Sequence, residues 1–166
     1  MVFLTVGTQS FQFNRLLEAV DRLIGERVIQ EAVIAQIGHS TYIPHNYRAY
    51  PFIDKEEFTQ MVRNCDLMIT HGGVGTIMEG IAAGKKIIVV PRKKIYQEHV
   101  DDHQQEIADK FETIGNICIC REIADLEKCY DYMISTTQYS PQIQLHFSNT
   151  ANFLNKYLEG LTGHKK

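Results

Sequence analysis

Short, almost wholly apolar runs separated by stretches of helical periodicity constrain this chain more than any other feature. Residues 2–6, 32–37, 67–70 and 87–90 are such runs. A strand with one wet face alternates apolar and polar side chains, so a continuous run means a strand buried on both faces. Between the runs, Leu16, Leu17, Val20, Leu23 and Ile24 recur at helical spacing up to Gly25, and Asp54 stands where an N-cap would start a helix over residues 55–63. Further helices are predicted over 76–83, with Gly84 as the stop, over 100–111, and over 123–134 and 147–161. Residues 47–52, with Pro51 limiting their pairing, and 117–120 complete the strands. The pattern predicts an α/β fold, a doubly wound Rossmann-like parallel sheet with right-handed crossovers. With 166 residues and no repeat or linker, the chain reads as a single domain over 1–166, with 141–166 as a C-terminal helical segment that packs on the body or docks elsewhere.

Ligands of doubly wound sheets bind outside the carboxyl ends of the strands. Four segments follow strands here: Gly7-Thr8, Gly38-His39-Ser40, His71-Gly72-Gly73-Val74-Gly75-Thr76, and the loop from Arg92 to His99. The third is a strand, a glycine turn and a helix start. Glycines allow close approach to outward-facing N–H groups, and the helix N-terminus adds partial positive charge, so a diphosphate suits the junction. It lacks the Lys-Ser/Thr pair of a Walker loop and the spacing of a dinucleotide fingerprint.

Individual residues keep two readings at this stage. His71 is a packed imidazole or a ligand contact. Glu79 is a carboxylate favourably placed near a helix start, or a clamp for both ribose hydroxyls. Arg92 lies on solvent or neutralises a phosphate. Asp101 or Asp102 caps a helix, while Asp102, Gln104 and Gln105 together are also able to satisfy several sugar hydroxyls. His99 and His103 are spaced i, i+4 but lack a convincing third ligand, and no Asp-x-Asp motif occurs, so no metal and no cofactor are expected.

A net charge of -3 argues against phosphate neutralisation of nucleic acid. Cys65, Cys118, Cys120 and Cys129 contain no CxxC pair and are expected as free thiols in a reducing compartment, with Cys118 and Cys120 on one strand face. No run approaches the ~20 apolar residues of a membrane span. The expected location is cytoplasmic.

Taken together, Thr5-Val6-Gly7-Thr8, Gln36-Ile37-Gly38-His39-Ser40, the six residues from His71 to Thr76, Glu79, and Asp102-His103-Gln104-Gln105-Glu106-Ile107-Ala108 resemble the C-terminal domain of family 28 glycosyltransferases. By motif the chain is similar to small catalytic subunits of two-chain transferases. These are the eukaryotic dolichol-linked N-acetylglucosaminyltransferases and the bacterial exopolysaccharide and capsule galactosyltransferases. The resemblance implies a GT-B C-terminal half-domain with a UDP-sugar across its strand edge. Gly38, His39 and Ser40 would then lie near uracil. Gly73, Val74, Gly75 and Thr76 would hold the diphosphate, with His71, Gly72 and Arg92 beside it. Glu79 would take the ribose, and Asp102, Gln104 and Gln105 the sugar. Gly7 and Thr8 would face the arriving acceptor.

It further implies inverting transfer of a hexose to a lipid-linked saccharide and a membrane-associated, acceptor-binding partner subunit that holds the chain peripherally at the membrane. Self-association is expected of the isolated chain. The general base is not identified by the resemblance; His71 and His99 are the internal candidates. The alternative is a non-catalytic, nucleotide-sugar-binding regulatory subunit.

Overall fold

The structure is a computed structural model that describes residues 1–112 and 116–136. Six strands form one sheet: β1 (Val2–Thr5), β2 (Val33–Gln36), β3 (Arg48–Tyr50), β4 (Leu67–Thr70), β5 (Lys86–Val89) and β6 (Ile117–Ile119). All pairings are parallel and the order is β3-β2-β1-β4-β5-β6. Val2 lies between Val33 and Leu67, which fixes the register of the centre.

Side chains alternate across the sheet and feed two apolar layers. On one face Val2, Leu4, Ile69 and Ile88 meet Leu16, Leu17, Val20 and Leu23 of α1 (Asn14–Gly25) and Leu126, Tyr130 and Met133 of α5 (Leu126–Ser135). On the other, Phe3, Met68, Ile87 and Val89 meet Val62 of α2 (Lys55–Asn64), Ile77 of α3 (Val74–Ala82) and Ile107, Ala108 and Phe111 of α4 (His103–Phe111). Both faces are covered, which is why the strands read as unbroken apolar runs.

The helix boundaries carry the corrections. Asp54 caps α2 as expected, its Oδ1 accepting from the Glu57 N–H at 2.9 Å. Gly84 follows α3 with φ +67°, as a glycine stop requires. However, α3 starts at Val74 instead of Thr76, because Gly73 is extended and its carbonyl already accepts from the Ile77 N–H at 3.1 Å. Likewise α4 starts at His103 and not at 100. A 3-10 turn at Lys94–Tyr96 and the left-handed Gln97 (φ 57°) make residues 97–102 a folded loop, with Asp102 as the cap residue. The last described helix opens with a 3-10 turn at Ile123–Asp125 before α5. The helix expected over 147–161, and the segment 141–166 containing it, lie outside the described residues.

Candidate functional site

The strand order reverses direction between β1 and β4, so the loops leaving those strands diverge and open a crevice. Gly7 and Thr8 leave β1; His71, Gly72 and Gly73 leave β4. Gly7 has φ +76° and lies against His71; a Cβ there would sit 2.6 Å from His71 Cε1. A Cβ on Gly73 would sit 2.4 Å from His71 Nε2. The imidazole is thus wedged between two glycines that make room for it.

His71 is 6% exposed, and its Nδ1 lies 3.3 Å from the Thr70 hydroxyl, which donates to the Thr5 carbonyl. Desolvation, reinforced by the positive charge of Arg92, pulls its pKa down to about 3. The ring is neutral at ordinary pH and too weak a base to take a hydroxyl proton readily. The ring is packed between the two glycines, which fits the first of its two readings.

Beyond His71 the backbone turns into α3. Among the described residues no group accepts from the N–H groups of Gly73, Val74, Gly75 or Thr76, and Gly73 contributes no side-chain cap. These are the unpaired donors of a helix start. The first turn of α3 carries no acidic residue, so nothing there opposes an incoming anion. Gly75 is exposed, and a Cβ built on it meets nothing within 4 Å. Gly80 has the opposite surroundings: a Cβ there would collide with Met68 at 2.4 Å, so its absence lets α3 lie close on the sheet.

Glu79 projects one turn further along α3 and is half-buried, with its Oε1 accepting from the Thr59 hydroxyl at 3.0 Å. Gly72 rests on Gln104, which brings the start of α4 under the turn; an added Cβ at Gly72 would be 2.7 Å from Gln104 Cβ. Gln105 is half-buried and donates to Asp102 Oδ1 at 3.2 Å, and the same carboxylate oxygen accepts from the Lys94 N–H at 3.0 Å.

Three expected ligand contacts are corrected by long-range partners. Arg92 is fully buried, not a phosphate ligand at the surface: its guanidinium donates to the carbonyls of Val6, Phe11, Gln12 and Glu98 at 2.6–3.3 Å. Burial lowers its pKa to about 10, which still leaves it charged. Gln104 is 4% exposed, and its carbonyl oxygen accepts from the N–H groups of Gly72 and Arg92, both at 3.1 Å. It braces two loops, so its acceptor end is not available to a sugar. Ser40 Oγ accepts from the Phe13 N–H at 2.9 Å and so secures the entry to α1.

His39 does stand exposed, its ring edge-to-face with Phe52 at 5.2 Å. Gly38, with φ +54°, donates to the Pro51 carbonyl at 2.8 Å and holds this loop against the end of β3. Phe52, expected within the third strand, lies beyond the end of β3 and is 51% exposed at the carboxyl edge. An aromatic directly after Pro51 was the available signal. Glu98 is another residue whose place was not foreseen. It is fully buried and makes a bidentate pair with Arg15, both bonds at 2.9 Å, while accepting from the Lys93 N–H. His99 is half-buried beside Phe11, with Nδ1 2.9 Å from Asp101 Oδ1.

An unpaired helix start at the reversal point of a 3-2-1-4-5-6 parallel sheet defines a doubly wound, Rossmann-like α/β domain. Residues 1–153 match the glycosyltransferase family 28 C-terminal domain, and the chain belongs to that family. It is similar to the UDP-N-acetylglucosamine transferase subunit ALG13 of Homo sapiens, with 32% identity over 129 residues, and to that of Mus musculus, with 29% over 136 residues. These alignments cover 72% and 74% of this chain and 11% of either relative, so the chain spans about a tenth of their length. Acinetobacter baumannii MurG superposes with a TM-score of 0.57 at 23% identity, covering 80% of this chain and 41% of that one. The calicheamicin glycosyltransferase CalG4 superposes at 0.63 with 16% identity, covering 96% and 43%. Those likenesses bear on fold: a Rossmann-like α/β half of the GT-B type, as expected.

Proposed function

We propose that this chain is the donor-binding catalytic subunit of a two-chain glycosyltransferase that moves a hexose from a UDP-sugar to a lipid-linked saccharide in exopolysaccharide or capsule synthesis. The observation that carries the reading is the row of unpaired N–H groups from Gly73 to Thr76, opening beside Gly75 with no carboxylate in the same turn. The family membership and the subunit names of its relatives support it. In this reading the diphosphate lies on those amides, Glu79 binds the ribose, and Gln105 with Asp102 reads the sugar. Phe52 and His39 flank the base at the end of β3.

Departure of UDP builds negative charge on the diphosphate. Donors already fixed at a helix start stabilise that charge without reorganising. The His99–Asp101 pair is the internal candidate for deprotonating the acceptor, since the carboxylate orients the ring and supports the imidazolium that forms. The acceptor itself is held by a membrane-associated partner subunit, and the chain works in the cytoplasm at the membrane surface. Among the described residues no helix is long and apolar enough to cross a membrane.

Calorimetric titration of UDP, UDP-galactose, UDP-glucose and UDP-N-acetylglucosamine, followed by radiolabelled sugar transfer with the partner present, tests this. Saturable UDP binding with transfer of one of these sugars is expected. Binding without transfer in the complete assembly would leave a regulatory subunit instead.

A further inference from the structure

One side of α1 fills the core with Leu16, Leu17, Val20 and Leu23. Along the adjoining side Arg15, Glu18, Ala19 and Arg22 recur at i, i+3, i+4 and i+7 and line a groove. Across from them stand Tyr96 and Glu98, from the loop after β5, and Ile123 and Ala124, from the turn before α5. The groove holds about 670 Å³, within the roughly 300–1,000 Å³ of small-molecule sites. Gln12 closes its end beside the start of α1, its Nε2 donating to the Tyr96 carbonyl at 3.0 Å. The groove lies on the α1 face of the sheet, whereas the amide row from Gly73 to Thr76 opens α3 on the other face. Nucleotide binding at α3 does not use it.

Arg15 is pinned in this wall. Its Nε and Nη2 donate to Glu98, both at 2.9 Å, and Nη2 also reaches the Pro91 carbonyl at 3.3 Å. Its Cζ lies 5.3 Å from the Phe13 ring centroid and 5.0 Å from that of Tyr96. Among the described residues its Nη1 is buried without a partner, an unmet donor that a ligand oxygen would satisfy. Tyr96 remains 47% exposed. Glu18 and Arg22, also exposed, present an acceptor and a donor about one turn apart.

The lining charges cancel: Arg15 and Arg22 oppose Glu18 and Glu98, and Arg15 is already paired with Glu98. With no net field, neither a phosphate nor a polyanion is drawn in. A lipid chain would leave Arg15, Glu18 and Arg22 without hydrogen bonds. A neutral sugar chain suits all of these groups. Its C–H face packs on the tyrosine ring and on Ala19, Ile123 and Ala124, while its hydroxyls donate to the carboxylate and accept from the guanidinium groups. We propose that this groove is a second ligand site, which takes a neutral oligosaccharide independently of the nucleotide.

The full-length chain is screened on an array of neutral and uronate-bearing di- to tetrasaccharides. The strongest neutral binder is then titrated by calorimetry and by amide chemical shifts of the 15N-labelled protein. Shifts confined to residues 12–22, 96–98 and 123–124 are expected, with residues 73–76 unmoved. Tyr96→Ala should weaken the saccharide about tenfold and Glu18→Gln about threefold, while UDP affinity stays unchanged in both. Affinity that levels off at a disaccharide indicates a growing acceptor, and affinity that climbs with length a finished polymer; either supports the site. Binding of uronate-bearing chains alone, shifts at residues 73–76 instead of α1, or undiminished affinity in Tyr96→Ala overturns it. So does a protein that binds UDP but no saccharide on the array, whereas saccharide shifts along α1 without UDP binding would sink the donor site and leave this one standing. Shift mapping of the unaltered chain decides the matter alone should a variant fail to fold.

Discussion

Replacing Gly75 with Asp sets two effects of opposite sign against each other. Gly75 is a helical residue in the first turn of α3, exposed, with open space where a Cβ would go. The new side chain therefore meets no steric obstacle. Helix propensity gains about 0.3 kcal/mol over glycine, and a carboxylate in a first helical turn gains roughly 0.3–1 kcal/mol from the dipole. The folded state should become about 0.6–1.3 kcal/mol more stable, seen as a small rise in the urea midpoint.

The same carboxylate stands where a diphosphate would lie. At about 5 Å and an effective dielectric of about 40, each like-charge pair costs about 1.7 kcal/mol. Two phosphoryl charges bring the cost to roughly 3 kcal/mol, more than about a hundredfold in Kd. Calorimetric titration with UDP measures this directly, and Gly75→Asn, similar in shape but uncharged, separates charge from bulk. A Gly75→Asp protein that is as stable as expected yet binds UDP with unchanged affinity would falsify the diphosphate site. Equal losses in the Asn and Asp variants would refute the electrostatic account.

Glu79→Ala should weaken UDP by about tenfold if the carboxylate holds the ribose. Thr59→Val, which removes only the 3.0 Å bond to Glu79, should cost less in the same titration, and the reverse order would count against the ribose role. Gln105→Ala should impair the UDP-sugar more than free UDP; equal effects on both would remove the sugar contact. Arg92→Met should destabilise the fold by about 3 kcal/mol or more, since several buried carbonyls lose their donor. In denaturant titration that loss is expected alongside a far smaller change in UDP affinity of the folded fraction than Gly75→Asp gives. A stable Arg92→Met protein unable to bind UDP would restore a phosphate role.

The imidazole of His71 has a folded pKa of about 3, below the ordinary value of 6.5. The unfolded chain therefore binds the proton first, so this stabilisation is complete above about pH 6.5 and is lost as pH falls toward 3. Unfolding free energies from urea titration between pH 6.5 and 5 should fall by up to about 1.4 kcal/mol per pH unit in the unaltered protein and stay flatter in His71→Gln. Parallel curves would contradict it.

The architecture was legible because burial on both sheet faces forces unbroken apolar strands, and local chemistry such as Asp54 and Gly84 marks helix ends. What remained hidden depended on partners far along the chain. Nothing adjacent to Arg92 indicates that Val6, Phe11 and Gln12 will surround its guanidinium. Ser40 serves α1 through Phe13, 27 positions earlier, and Gln104 reaches Gly72 across 32 positions. The start of α3 was misplaced for a different reason: an extended glycine offers its carbonyl to the helix without a polar side chain to announce the cap. The exposed main-chain row itself was visible in the order of the residues, because a glycine-rich turn after a buried strand leaves the helix no other way to begin.

The ring that fills the gap between Gly7 and Gly73 also imposes a rule on descent. Enlarging either glycine drives atoms into the imidazole, whereas shrinking the imidazole vacates space that a side chain at position 73 would be free to occupy, while the φ of +76° keeps position 7 costly for any side chain. Positions 71 and 73 should therefore be inherited as one lock, changing together or not at all, with glycine held at position 7 more than sixty residues upstream.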